Sequence, residues 1–214
     1  LAAVNLLGLK EIERLFISSY LQRSLPVSEI DHKLIKNSTR SGIAAAELAY
    51  WVPEISRTEV YFIAFLQDVG AIYMMRHDPE NYAEKYLNSQ LSHPITAYDT
   101  ELKNYRTTHA FVGSLVARRW NLGDLLCKSL LLHHYDSLEA VKNYDPKVAK
   151  MVALIQVANI LVYQQFSDHY ETSEQKQIID HAVEFLNLQP NAIESANAAI
   201  IKWGYDNHMH FASH

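Results

Sequence analysis

Helical periodicity, almost unbroken along the chain, is the feature that most restricts the fold. Apolar residues recur at intervals of three and four, as in residues 5–21, and no segment alternates polar and apolar residues convincingly with the period of a strand. Only six glycines and six prolines interrupt the 214 residues. We therefore predict an all-α protein.

The same pattern predicts where individual helices lie. A run from Arg57 to Met75 reads as one continuous helix, which His77-Asp78-Pro79 would end. Residues 24–31 contain a proline and read as a linker. The other predicted helices cover residues 5–21, 38–51, 80–91, 95–105, 107–120, 124–134, 146–166, 173–187 and 190–203.

Residues 107–120 illustrate how a helical face is inferred. The spacing places Phe111, Leu115 and Val116 on one apolar face, and Gly113 would allow a neighbouring helix to pack closely. Four tyrosines earlier in the chain are expected to pack in the core, with a partner-facing aromatic surface as the alternative; they are Tyr82, Tyr86, Tyr98 and Tyr105.

Composition excludes several classes of protein. The content of 49% hydrophobic and 20% charged residues is that of an ordinary globular protein. The net charge of −5 and the lack of a basic run beyond Arg118-Arg119 argue against nucleic-acid binding. The single cysteine, Cys127, fits a reducing compartment. No apolar run approaches the roughly 20 residues of a membrane span, and no signal peptide is evident, so we expect a cytoplasmic protein without a membrane partner.

Several polar residues interrupt otherwise apolar helices, and each has an ordinary structural explanation. A histidine at the end of a helix usually caps it or faces solvent, which applies to His133 and His134. Asn159 reads as a hydrogen-bonded core amide, and Asp68 as the partner of a backbone N–H or an arginine. The alternative is a metal site, for which such ligands would have to converge from several helices. The histidine-rich tail, NHMHFASH, is assigned no function.

The order of these segments resembles the HDOD domain, a regulatory branch of the HD-domain phosphohydrolase superfamily related to HD-GYP cyclic-di-GMP phosphodiesterases. The similarity covers roughly residues 3–165, and its most specific stretch is THAFVGSLVARRWNL, with Glu101 eight residues before His109. The other matching segments are LGLKEIERLF, LIKNS, FLQDVG, LLLHH and VANILV. The resemblance implies an HD-domain-like multi-helix bundle.

The resemblance also implies how the chain is divided. Residues 1–24 would be the end of the family's N-terminal helical half, and residues 25–214 would form the HD-like helical domain with C-terminal helices. Because the chain opens within a helical pattern and lacks an initiator methionine, we expect it to be a piece of a longer protein.

Against the catalytic relatives, the chain departs at one set of positions. Where those relatives carry metal-ligating His, His and Asp, this chain has Asn37, Gln67 and Asn159, and where HD-GYP relatives carry Lys it has Ala71. The GYP signature is absent after LLLHHYD. Neutral amides are poor replacements for imidazole and carboxylate ligands. The resemblance therefore implies a degenerate site that lacks a source of metal-activated hydroxide.

A second set of positions matches the relatives. A three-histidine, one-carboxylate set is chemically suited to a single Zn, Fe or Mn ion. We expect no bound cofactor, and the alternative is one divalent metal ion held by Asp68, His109, His133 and His134.

These expectations lead to a hypothesis for function. We expect a non-catalytic bacterial signal-transduction module, not an enzyme, that presents helical surfaces to a kinase, a receiver or a cyclic-nucleotide enzyme. The alternative is a residual metal-dependent phosphohydrolase that works with one ion.

Overall fold

The computed structural model describes residues 9–87, 89–167 and 170–204, and no strand occurs in these ranges. The predicted all-α class is confirmed. Two short turns of helix, Ala49–Trp51 and Ala83–Leu87, accompany the α-helices. The α-helices are α1 (Leu9–Ser24), α2 (Glu29–Leu48), α3 (Arg57–Leu66), α4 (Val69–His77), α5 (Pro94–Tyr105), α6 (His109–Arg119), α7 (Asp124–Leu132), α8 (Leu138–Tyr144), α9 (Pro146–Phe166), α10 (Ser173–Leu186) and α11 (Pro190–Trp203).

Helix α9 forms the centre of the bundle. It is apolar on nearly every side, and α2, α7, α8, α10 and α11 pack around it. Contrary to the expectation from sequence, α9 is long and apolar enough to cross a membrane by length and composition. Because 72% of its most apolar window is buried inside the protein, these properties are also those of a core helix.

The first half of the bundle differs from the prediction at two boundaries. Helix α2 begins at Glu29, not near residue 38, because Ser28 and Asp31 form a reciprocal capping box. Its Ser28 Oγ accepts a hydrogen bond from the Asp31 N–H at 3.1 Å, and Asp31 Oδ2 accepts one from the Ser28 N–H at 3.2 Å. The predicted linker therefore shrinks to residues 25–28.

The helix predicted from Arg57 to Met75 is interrupted. Helix α3 ends at Leu66, and α4 begins after Asp68, whose backbone lies outside the helical region at φ −99° and ψ 11°. The uniform apolar pattern hides this break, since both helices are buried on the same side. The break turns Asp68 away from a regular helical position and makes it the residue that precedes α4.

Helix α6 buries a different face from the predicted one. Phe111 and Leu115 are about half exposed, at 48% and 47%. The buried face consists of small residues and one histidine: His109, Ala110, Gly113, Ser114 and Ala117. Small side chains let α4 and α6 approach closely, so the face that packs is the one with least apolar bulk.

Of the remaining predictions, some are confirmed and others are wrong. The predicted helix over residues 80–91 is only the turn Ala83–Leu87, and α8 was not predicted. Tyr82 and Tyr86 are fully buried, as the core-packing interpretation required. The tail at residues 207–214 lies outside the described residues. The division after residue 24 stays a prediction.

Candidate metal centre

Three histidine side chains from two helix ends meet in the interior. His109 is the first residue of α6, whose start is capped by the Thr108 hydroxyl, and His133 and His134 follow directly after α7. His109 Nε2 lies 3.2 Å from His133 Nε2 and 3.1 Å from His134 Nε2. The ligand atoms of the three rings all lie within 4.8 Å of one another.

Hydrogen bonds on the far side of two rings fix their tautomers. His133 Nδ1 lies 2.7 Å from the Leu130 carbonyl oxygen, which can only accept, so this nitrogen carries the proton. His109 Nδ1 donates in the same way to Glu101 Oε2 at 2.8 Å. In its neutral form, each ring therefore directs an unprotonated Nε2 into the shared space, as metal-binding histidines do.

Asp68 supplies a carboxylate to the same space. Its Oδ1 lies 3.7 Å from His109 Nε2, and the residue is only 7% exposed. Among the described contacts its side chain accepts no hydrogen bond, although it precedes α4 in the capping position. A buried carboxylate without a hydrogen bond is costly unless a cation lies close by.

The electrostatics of the cluster favour a bound cation. Burial lowers the pKa of His133 to about 3, helped by the nearby His109, and burial lowers that of His134 well below its ordinary value. Burial opposes protonation of His109 as well, but the charge and hydrogen bond of Glu101 and the charge of Asp68 outweigh it and raise its pKa. Burial raises the pKa of Asp68, opposed by His109.

The residues present fit a divalent metal ion. Two buried carboxylates, Asp68 and Glu101, both face His109, and a doubly charged cation would balance the pair. Nitrogen ligands at zinc distances in a tetrahedron are about 3.3 Å apart. The distances from His109 Nε2 to His133 Nε2 and to His134 Nε2, 3.2 and 3.1 Å, are close to that value. His109, His133, His134 and Asp68 would hold the ion.

Glu101 is the residue of this centre that our reasoning from sequence missed. Its side chain is wholly buried, and three groups donate to it: Tyr82 Oη at 2.6 Å, the His109 N–H at 2.9 Å and His109 Nδ1 at 2.8 Å. Tyr86 Oη lies 3.3 Å from His109 Nε2. The spacing of eight residues between Glu101 and His109 is the sequence feature that points to this contact, and it belongs to the motif that the chain shares with the family.

We expect Glu101→Gln to lower the free energy of unfolding by about 2–3 kcal/mol, because the new amide NH₂ would face groups that themselves donate. Urea denaturation of the metal-free protein measures the change. The matched control is Glu184→Gln on the exposed face of α10, for which we expect no change above about 0.5 kcal/mol. Equal losses in the two variants would contradict the assignment of Glu101 as a satisfied buried carboxylate.

Two of the positions at which this chain departs from the catalytic relatives form a pair that is separate from the histidine cluster. Gln67 and Asn159 pair through both amides: Gln67 Nε2 donates to Asn159 Oδ1 at 2.7 Å, and Asn159 Nδ2 donates to Gln67 Oε1 at 2.9 Å. Asn37 lies half-buried in α2, and no described hydrogen bond joins it to this pair. Ala71 is buried in α4. The structure thus unites Gln67 with Asn159 and leaves Asn37 outside the pair.

A small cavity opens beside the histidines. It has a volume of about 30 Å³, and its polar lining includes Asp68, His133, His134 and Asn159. That volume corresponds to about one water molecule in the liquid. Drug-sized ligands occupy pockets of about 300–1,000 Å³, so the cavity suits an ion or a water molecule and not a nucleotide.

Comparisons with known proteins agree with this architecture. The family model described as HDOD domain matches residues 1–136. A crystal structure of an HDOD domain protein with unknown function from Geobacter sulfurreducens shares the fold at a TM-score of 0.63 and 20% identity, over 94% of this chain and 70% of that one. No curated protein sequence matches the chain at a significant level.

Two other solved structures share the fold. One is named "Putative phosphohydrolase" and comes from Shewanella amazonensis SB2B, with a TM-score of 0.63 and 17% identity over 94% of this chain and 72% of that one. The other is the MmoQ response regulator from Methylococcus capsulatus str. Bath, with a TM-score of 0.55 and 14% identity over 92% of this chain and 73% of that one. At these identities the likeness concerns the fold alone.

Proposed function

Because this chain belongs to the HDOD domain family, we propose that it is a regulatory module of a signalling system that does not hydrolyse phosphodiesters and that holds one divalent metal ion. The observation that carries the proposal is the reciprocal amide pair of Gln67 and Asn159 beside an intact histidine cluster. The amide pair stands where the catalytic relatives carry metal ligands, and the histidine cluster keeps the ligand residues of those relatives.

The amide pair argues against a second metal ion. Each amide uses its oxygen and its NH₂ group to satisfy the other, at 2.7 and 2.9 Å. An ion bound there would meet only neutral amide oxygens, each already accepting a hydrogen bond. Two-metal sites stabilise both the attacking and the leaving oxygens of a displacement, and this pair offers no anionic ligand for that task.

The cavity beside the histidines supports the same proposal. A cyclic dinucleotide is far larger than the roughly 30 Å³ beside His133 and His134. A bound ion would supply Lewis acidity and a link between the starts of α4 and α6 and the end of α7. The chain's own contribution is to orient the ligands, since Glu101 and the Leu130 carbonyl hold two of the rings in place.

The second candidate function is a residual metal-dependent phosphohydrolase. The intact set of three histidines and Asp68 favours it, because a single ion on such ligands can polarise a phosphoryl oxygen. The partners of the module remain those expected for the family: a kinase, a receiver or a cyclic-nucleotide enzyme. The fold shared with a response regulator agrees with that class of partner.

Metal content and turnover together test the proposal. We expect the purified protein to bind one equivalent of Zn²⁺ or Mn²⁺ and to show no hydrolysis of cyclic dinucleotides above the background of free metal. A variant with Asn37→His, Gln67→His and Asn159→Asp is the matched control, and we expect it to bind more than one equivalent, because it restores ionisable and imidazole ligands.

Two outcomes would contradict the proposal. Turnover of the unaltered protein at about 1 s⁻¹ or faster, within the range of ordinary enzymes, would support the phosphohydrolase instead. Less than a tenth of an equivalent of metal, unchanged by His133→Ala, would remove the metal from the proposal and leave the regulatory role to the helical surfaces.

A further inference from the structure

One wall of the histidine cavity comes from parts of the chain that carry no metal ligand. Leu91, Pro94 and Ile95, around the start of α5, line the cavity together with Ile178 of α10. The family match ends at residue 136, so α10 lies beyond it. These apolar side chains therefore border the same cavity as Asp68, His133 and His134.

Glu174 fastens this wall to α10. One carboxylate oxygen accepts hydrogen bonds from the Ile95 N–H at 2.6 Å and the Thr96 N–H at 3.3 Å, and the other accepts from Thr96 Oγ1 at 2.6 Å. These two backbone groups lie in the first turn of α5, where N–H groups have no partner within the helix. The negative charge also suits the positive end of the helix dipole.

Two neighbours of Glu174 add contacts to the same segment. Gln175 Nε2 donates to the Leu91 carbonyl at 2.6 Å, and Thr172 Oγ1 donates to the Ser92 carbonyl at 2.7 Å. Gln175 is fully buried, so its amide is committed to this contact. Hydrogen bonds from three residues, Thr172, Glu174 and Gln175, therefore hold residues 91–96 against the start of α10.

Helix α10 makes two kinds of contact, apolar packing and hydrogen bonds, and they differ in how easily they separate. The remainder of α10 packs on α9 through apolar residues such as Ala182 and Leu186. Glu174 contacts the start of α5 through hydrogen bonds, and Thr96, which makes two of them, is exposed to solvent. Hydrogen bonds at a surface can exchange for water without uncovering a hydrophobic core, so this contact can open while the bundle stays folded.

We propose that residues 91–96 form a lid over the histidine cavity, that Glu174 at the start of α10 is its latch, and that the lid decides which ligands reach the histidines. With the latch closed, the cavity accepts an ion or a water molecule. A phosphate ester or another ligand of that size enters only after Glu174 releases the start of α5. The inference rests on the proposed site for its ligand, but access to the cavity can be measured without a metal.

Diethyl pyrocarbonate, which acylates neutral imidazole nitrogen, measures that access in the metal-free full chain. His133 is 2% exposed and lines the cavity, so its acylation reports opening of the lid, and the partly exposed His181 serves as the internal reference. We expect Glu174→Ala to raise the acylation rate of His133 about tenfold or more, because it removes hydrogen bonds to a charged acceptor. The rate at His181 stays unchanged.

Two further variants keep the test decisive. Thr96→Val removes only the hydroxyl contact at an exposed position, and we expect a smaller rise, roughly threefold. Glu171→Ala removes an acidic side chain of the same segment that bonds Gln164 and not the lid, and we expect no change. Hydrogen exchange at residues 91–96 should rise with the acylation rate in the first two variants.

The results separate the lid from the metal site. An unchanged rate at His133 in both Glu174→Ala and Thr96→Val would overturn the lid, whatever metal the protein binds. A rate that rises equally in Glu171→Ala would overturn the role of Glu174 as the latch. If the lid opens as expected but the protein binds no metal, the role of Glu174 as the latch holds and the proposed metal site is contradicted.

Discussion

Zn²⁺ added to the metal-free protein is expected to raise its free energy of unfolding by about 2.7 kcal/mol when the free ion is a hundredfold above its dissociation constant, and by about 4.1 kcal/mol at a thousandfold. The physical reason is that three Nε2 atoms and the Asp68 carboxylate converge only in the folded chain. In the part of the chain that the structure describes, the buried Asp68 side chain accepts no hydrogen bond, and a cation would offset the cost of burying its charge. Thermal or urea unfolding with increasing Zn²⁺ measures the effect.

The histidine-rich tail could bind metal by itself, so the measurement requires a background in which His208, His210 and His214 are replaced by Ala. In that background we expect His133→Ala to abolish the stabilisation. The matched control is His181→Ala, which removes a partly exposed histidine that contacts only Glu139 among the described hydrogen bonds. Stabilisation that survives His133→Ala, or that His181→Ala removes equally, would contradict the metal site.

Gly70→Ala is expected to destabilise the protein by about 3 kcal/mol, the upper part of the usual range for overpacking a core. A Cβ atom at Gly70 would lie 2.0 Å from the His109 carbonyl oxygen and 2.6 Å from the Gly113 nitrogen. Both contacts are with backbone atoms, so α4 and α6 would have to move apart. That movement would also displace His109 from Asp68. Urea denaturation measures the loss.

Gly113, which faces Gly70 from α6, provides the control. A Cβ atom at Gly113 would lie 3.4 Å from the Gly70 nitrogen and 3.5 Å from Val69 Cγ1, which are ordinary contacts. We expect Gly113→Ala to change the free energy of unfolding by less than about 1 kcal/mol, because the gain in helix propensity offsets a slight crowding. A loss at Gly113 as large as that at Gly70 would show that the crossing is not governed by the close approach at Gly70.

The sequence was most informative where a helix lies in a single environment. The prediction for residues 146–166 matches α9, whose end signals and continuous apolar character agree with burial at the centre. The predictions for residues 173–187 and 190–203 match α10 and α11 to within a residue. In the structure, Pro146 lies in the first turn of α9 and Thr172 caps α10, so local features of the sequence agree with the observed ends of these helices.

The predictions were wrong where packing against a neighbouring helix decides where a helix ends or which of its faces is buried. The break at Gln67 and Asp68 leaves no mark in the apolar pattern, since α3 and α4 are both buried. On α6 the apolar side chains Phe111 and Leu115 face outwards, because the small face around Gly113 allows closer packing against α4. Periodicity reports which faces are apolar, and it does not report which face a partner helix can approach.

The sequence by itself determined the helical class, membership of the family through ordered motifs, and the residue types available to the site: three histidines, one aspartate and three amides. Only the tertiary structure decided which of these side chains meet. It brings His109, His133, His134 and Asp68 together and pairs Gln67 with Asn159, and it adds Glu101, which no metal-ligand pattern had nominated. The physical reason is that hydrogen bonds and charge act over a few ångströms between helix ends far apart in the chain, and spacing along the sequence does not encode that proximity.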